Sequence, residues 1–377
     1  MSISQFQIID STLREGEQFS YAHFTTQDKI KIASGLADFG VEYIEITSPA
    51  ASPQSYHDAQ ILVSLGLKPK ILAHVRCHIQ DVAKALETGV DGINLFMGTS
   101  QYLQKYSHGK SMDQILEKTS EVINYARRER IEIRFSCEDA LRSDPEVLET
   151  IYQHVTQLGV DRIGVTDTVG VATPFEVSDL IGRLRQKIAV PIEFHAHNDS
   201  GCAIANSYAA LQAGATYIDT SILGIGERNG ITPLGGLIAR LYATDKALVS
   251  KYRLQHLSFL ENLVAEVVGI QVPFNNCITG PSAFHHKAGL HTNAVLNNPS
   301  TYEIFDPTDF GLTRTILVAH RLTGKHAIRN RACQLGIDLS EEALLNITLK
   351  VKDLADKGHL AAENDIDQII KNYSNYI

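Results

Sequence analysis

No stretch of this 377-residue sequence approaches the roughly 18 consecutive apolar residues of a membrane-spanning helix, so no membrane span is expected. Positive charge is not in excess: 34 Lys and Arg stand against 43 Asp and Glu, a net charge of −9. That sign does not favour nucleic acid or an anionic membrane as a partner. The opening MSISQFQIID lacks the charged and apolar regions of a signal peptide. Cysteine is scarce, and Cys77, Cys137, Cys202, Cys277 and Cys333 follow no paired spacing. Reduced thiols in a cytoplasmic protein are expected, rather than a disulfide framework or a structural zinc site. What remains is a 44% hydrophobic, 20% charged chain, ordinary for a soluble enzyme and long enough for a large core.

Short apolar runs alternate with helical patterns over the first two thirds. Strands are expected at 5–10, 41–47, 70–77, 91–97, 131–138, 161–166, 190–197 and 216–222, with amphipathic helices such as 27–39 and 113–128 between them. Gly40, Gly89 and Gly159 read as helix ends before the next strand. Eight strand–helix units predict an α/β fold, a closed (β/α)8 TIM barrel, with a doubly wound open sheet as the alternative. The rhythm stops after residue 245. A helix is expected at 256–270, then a Pro-, Gly- and Asn-rich stretch at 272–313 with no strand of its own, then helices at 326–337 and 340–357. This divides the chain into a barrel over 1–270, a linker or lid over 271–330 and a small helical region over 331–377. The tail is too short for a sizeable regulatory domain.

Alternate side chains of a strand share a face, so the polar residues can be sorted. In the seventh strand Glu193, His195 and His197 share one parity, facing the barrel interior. His-x-His near the C-terminal end of a barrel strand is a place to hold a metal, or else a pair of hydrogen-bonded core histidines. In the fifth strand Arg134, Ser136 and Glu138 share a face, and in the third His74 and Arg76 do. Buried charge of this kind is a structural ion pair or a clamp for a substrate carboxylate, which a guanidinium suits. The first strand runs into Asp10-Ser11-Thr12-Leu13-Arg14-Glu15-Gly16-Glu17-Gln18, charge that belongs at the mouth of a barrel. Glu15 could complete a Glu/His/His metal set, with Arg14 beside it for an oxyanion. The glycine-rich run 224–230 is either a phosphate cradle or a set of tight turns.

Taken together, IDSTLREGEQF, IEFHAHND, ILGIGERNGITPLGG and NNCITGPSAFHHKAGLH resemble the DRE-TIM metallolyase family, in its homocitrate synthase branch, over nearly the whole chain. The resemblance implies condensation of acetyl-CoA with 2-oxoglutarate, then thioester hydrolysis to homocitrate and CoA, the first step of the aminoadipate route to lysine. It implies Glu15, His195 and His197 as ligands of a divalent metal (Mg2+, Mn2+ or Zn2+), and Arg14 as the residue steadying developing negative charge. Arg134, Ser136 and His74 resemble the pocket for the far carboxylate, and Thr168 the contact to the near one. Glu138 matches a family carboxylate of the same strand. His291 resembles the general base and Tyr302 a further residue, both supplied by the partner of a homodimer with shared active sites. Lysine is implied as a feedback inhibitor held by carboxylates at positions 94 and 193. Here Asn94 replaces the usual Asp beside Glu193, so weakened inhibition is expected, unless another acid such as Glu45 takes over. Isopropylmalate, citramalate or citrate synthesis, acyl-CoA cleavage, and a non-catalytic lysine or metal sensor are the competing readings.

Overall fold

Eight short parallel strands form the centre of the molecule in the computed structural model, which describes residue 3, residues 5–358 and residues 363–374. They are β1 (Gln7–Asp10), β2 (Tyr43–Ile46), β3 (Lys70–Arg76), β4 (Gly92–Gly98), β5 (Glu132–Glu138), β6 (Arg162–Asp167), β7 (Ile192–Ala196) and β8 (Tyr217–Thr220). Each pairs with the next and β8 closes on β1, so the sheet is a barrel without edges and the open-sheet alternative is excluded. All eight expected strands are present, with ends that differ from the expectation by at most two residues.

Local signals set the helices between them. Thr25 with Asp28, Ser111 with Gln114 and Thr173 with Glu176 form capping boxes that satisfy free N–H groups of a first turn. Pro53, Pro145 and Pro174 take the first turn, where a missing N–H costs nothing. Gly40 and Gly159 end helices at φ 103° and 87°, a left-handed conformation that glycine adopts freely. Outward-facing strand residues Phe135, Val165, Phe194 and Ile218 are fully buried under the helices. The opposite parity of the same strands carries the charge.

The described chain forms two compact units, residues 1–279 and 280–377. In the second, β9 (His285–His286) pairs with β10 (Thr315–Ile316), and helices span Gly289–Asn297, Lys325–Gln334, Glu341–Asp356 and Glu363–Ser374. Ile328, Leu344, Ile347, Val351, Ile366 and Ile370 form its apolar core. Two expectations are corrected here. The 272–313 stretch does carry a short strand and a helix of nine residues, both without side-chain caps and so nearly silent in sequence. A third C-terminal helix, Glu363–Ser374, was not foreseen. Among the described residues no helix is long and apolar enough to cross a membrane.

Candidate active site at the mouth of the barrel

The turn after β1 carries Arg14 and Glu15 into an ion pair with each other. Glu15, His195 and His197 offer ligand atoms that all lie within 4.8 Å of one another, and all three are buried. Asp219 of β8 fixes one imidazole: its Oδ2 lies 2.9 Å from His195 Nδ1, which leaves Nε2 for a ligand. His197 Nε2 lies 3.9 Å from Glu15 Oε1, and its Nδ1 is buried without a partner. Burial pushes His195 down to about 4, helped by the Arg14 charge, and His197 down to about 4, helped by His195. Both imidazoles are therefore neutral at pH 7, the form that binds metal. Burial alone would raise Glu15, but Arg14 and the two histidines hold its carboxyl below the usual range. One carboxylate and two neutral imidazoles in a buried cluster fit a divalent cation.

The glycine-rich run after β8 serves this cluster. The Glu227 N–H donates to Glu15 Oε1 at 3.0 Å, and a Cβ at Gly226 would lie 2.9 Å from Glu15 Cγ. The run makes a tight turn that buttresses the Glu15 carboxylate.

A second carboxylate, Glu45 of β2, organises the opposite side. Its Oε2 accepts from Ser11 Oγ at 2.5 Å and Arg14 Nε at 2.7 Å. Its Oε1 accepts from Asn94 Nδ2 at 2.6 Å and faces His74 Nδ1 at 3.0 Å. Arg14 and His74 hold Glu45 well below the carboxylate range despite its burial, while burial and Arg14 lower His74. Each oxygen of Glu45 thus meets two partners.

Arg134 is 3% exposed, and its Nη2 contacts Glu193 Oε1 at 2.5 Å. Its Nε is buried with no partner. Ser136 Oγ lies 2.8 Å from Thr166 Oγ1, and Thr168 Oγ1 accepts from the Asp139 N–H at 2.8 Å. Glu138 is half-buried at the end of β5, its carboxyl raised by burial and by Asp139. The barrel thus gathers Arg14, Glu15, His74, Asn94, Arg134, Glu193, His195 and His197 into linked contacts, while Ser136 pairs with Thr166 and Thr168 with the Asp139 N–H. His291 and Tyr302 belong to the second unit, where their rings meet at a 34° tilt with centroids 4.3 Å apart. Sequence reasoning passed over Asp219, Thr166 and Arg162, and named Glu45 only as a stand-in. Each is a polar residue at inward parity in an apolar strand, so the signal was there, but β2 and β8 have only four residues to show an alternation.

A family profile described as HMGL-like matches residues 5–264, and one described as homocitrate synthase post-HMGL domain-like matches residues 278–359. Among solved structures, the HMG-CoA lyase of Bacillus subtilis aligns with a TM-score of 0.64 and 23% identity, over 72% of this chain and 96% of that one. The barrel is thus that of the HMGL-like enzymes. A mitochondrial homocitrate synthase of Schizosaccharomyces pombe is 55% identical over 98% of this chain and 89% of its own length. The cytosolic homocitrate synthase isozyme of Saccharomyces cerevisiae is 53% identical over 99% and 87%, and a homocitrate synthase of Sulfolobus acidocaldarius 38% identical over 92% and 74%. The chain belongs to the homocitrate synthase family, whose members are acyltransferases.

Proposed function

We propose that the chain joins acetyl-CoA to 2-oxoglutarate and releases homocitrate and CoA. The observation that carries this reading is the buried Arg134, whose Nε has no protein partner. An unpartnered guanidinium donor in a closed barrel is costly, and a second carboxylate on the 2-oxo acid would satisfy it. Ser136 and His74 would complete that pocket and Thr168 would meet the near carboxylate. Glu15, His195 and His197 would hold the divalent metal (Mg2+, Mn2+ or Zn2+), which when bound supplies Lewis acidity toward the ketone.

His291 would remove a proton from the acetyl methyl group, and the resulting carbanion carbon would bond to the ketone carbon of 2-oxoglutarate. Arg14, held between Glu15 and Glu45, would stabilise the new alkoxide. Glu138, whose carboxyl is raised by burial and by Asp139, would assist the proton traffic, with Tyr302 beside His291. Water then cleaves the thioester to give a carboxylate and the free thiol of CoA. His291 and Tyr302 would come from a second copy of the chain, through the 271–330 segment, making a homodimer of composite sites. Lysine would inhibit weakly, because Asn94 is uncharged and Glu193 is engaged by Arg134. We place the enzyme in the cytoplasm, in keeping with five free cysteines, although named relatives include mitochondrial and cytosolic forms.

The test is thiol release from acetyl-CoA with a panel of 2-oxo acids. We expect 2-oxoglutarate to be the best acceptor. A higher kcat/KM with 2-oxoisovalerate or pyruvate would overturn the dicarboxylate reading.

A further inference from the structure

The N-terminal ends of the barrel strands carry charge that no step above uses. Arg162, the first residue of β6, is 1% exposed and lies between two tyrosine rings, its Cζ 5.1 Å from the centroid of Tyr43 and 4.7 Å from that of Tyr217. Its Nε donates to Glu193 Oε2 at 2.7 Å, and its Nη1 donates to Glu132. Glu132 in turn receives Lys70 Nζ at 2.8 Å. Glu193 is fully buried, and its other oxygen meets Arg134. A column of alternating sign therefore runs along the barrel interior, from Lys70 at the exposed end through Glu132, Arg162 and Glu193 to Arg134.

We propose that Arg162 is a positioning residue which, through Glu193, fixes the Arg134 guanidinium for the far carboxylate of a dicarboxylic 2-oxo acid. The inference rests on the substrate reading above and deepens it. Burying two guanidiniums and a carboxylate brings no stability that well-packed apolar side chains would not match, so the column calls for another reason. Two features supply one. First, Glu193 is divided: one oxygen faces each arginine. Without Arg162 the carboxylate would be free to close both oxygens on Arg134 as a fork-to-fork pair, which neutralises that guanidinium and turns it from the substrate. With Arg162 in place, Glu193 keeps one oxygen on each arginine, and Arg134, whose Nη2 also lies 3.8 Å from Asp219 Oδ2, keeps its remaining N–H groups for the substrate carboxylate. Second, Arg134 lies flat against β6, the strand that bears Arg162. A Cβ on Gly164 would lie 2.4 Å from Arg134 Nε and 2.5 Å from its Cζ and Nη2. Gly164 stands two positions after Arg162, so one inward face of one strand supports the guanidinium from below and shapes the surface beneath it.

The experiment uses the full-length, metal-loaded enzyme and the variants Arg162→Gln and Arg162→Lys, with both KM values, kcat and thermal stability measured. Arg162→Gln should raise the KM for 2-oxoglutarate about ten- to a hundredfold, the scale of effect for a displaced clamp. The KM for acetyl-CoA should stay within about twofold, and Arg162→Lys should recover part of the loss. A general packing defect would not single out one substrate. A folded Arg162→Gln enzyme with the native KM for 2-oxoglutarate, or with both KM values raised alike, overturns the proposal. If Arg162→Gln does not fold, Arg162→Lys and Glu132→Gln carry the same test, and a native KM for 2-oxoglutarate in both overturns it. If the native enzyme does not turn over 2-oxoglutarate, the proposed function is what fails. Calorimetric binding of that dicarboxylate to native and variant enzymes then decides the role of Arg162: equal affinities refute it.

Discussion

Replacing Glu261 with Gln should remove one contribution to the pH dependence of the barrel's stability. Glu261 stands on the helix Leu257–Val267 and is fully buried. Its Oε2 accepts from Asn276 Nδ2 at 2.8 Å and from Thr279 Oγ1, whereas Oε1 has no partner. Gly235 makes room for that second oxygen, since a Cβ there would lie 2.4 Å from it. Two neutral donors on one oxygen do not replace water around a charge, and burial pushes the carboxyl from 4.5 up to about 7. The folded state thus keeps a proton that the unfolded chain has lost. Stability falls as pH rises from about 4.5 to about 7, and the loss is complete above that. At about 1.4 kcal/mol per pH unit, the gap amounts to about 3 kcal/mol. The amide of Glu261→Gln offers the same carbonyl to Asn276 and Thr279 and cannot ionise. Chemical denaturation of both proteins between pH 5.5 and 8.5 is the assay. The variant should gain on the native protein by up to about 3 kcal/mol at the alkaline end and by much less at the acid end. A constant offset between the two across the whole range would refute a neutral buried Glu261.

Stripping divalent metal with a chelator should abolish turnover, and His195→Ala should weaken metal retention as read by metal analysis after dialysis; full activity in a metal-free sample rules out the Glu15, His195, His197 centre. Arg134→Ala should cost about 2–5 kcal/mol in kcat/KM for 2-oxoglutarate, as for one partner of a buried charge pair. Asn94→Asp should tighten lysine inhibition by at most roughly 1–2 kcal/mol, up to about thirtyfold, because a charged acceptor replaces a neutral one while the new carboxylate meets Glu45 where the amide now donates to it. Tight inhibition of the native enzyme, unchanged by the substitution, would show that position 94 does not set the response. Mixing inactive His291→Ala chains with inactive Glu15→Ala chains should restore part of the activity if sites are shared; verified heterodimers without activity would assign each histidine to its own barrel.

Much of the barrel is legible in the order of residues, because the strands hold apolar residues at alternate or successive positions and several follow a glycine that ends the preceding helix. The cluster of Glu15, His195 and His197 follows from parity on β7 and from charge placed straight after β1. Parity alone does not say how inward charges share one another. Glu193 reads as a free acid, yet it lies between Arg134 and Arg162, which come from different strands. Asn94 reads as an isolated replacement, yet its amide donates to Glu45, 49 positions away. Such cross-strand partners depend on register, which is fixed only when the barrel closes. His291 sits on a helix without a capping side chain, so nothing local announced it.

On the proposed reading, the placement of the selecting groups also limits how substrate choice can be altered. In many barrels specificity sits on the loops above the sheet and can be exchanged with them. Here Asn94 and Arg134 are register neighbours on β4 and β5, and Gly164 and Glu193 are register neighbours on β6 and β7. These residues stand inside a closed hydrogen-bonded ring whose strands cannot shift one at a time. A new acceptor molecule would therefore require coordinated replacement of opposite charges on adjacent strands, whereas grafting loops would leave the choice of acid unchanged.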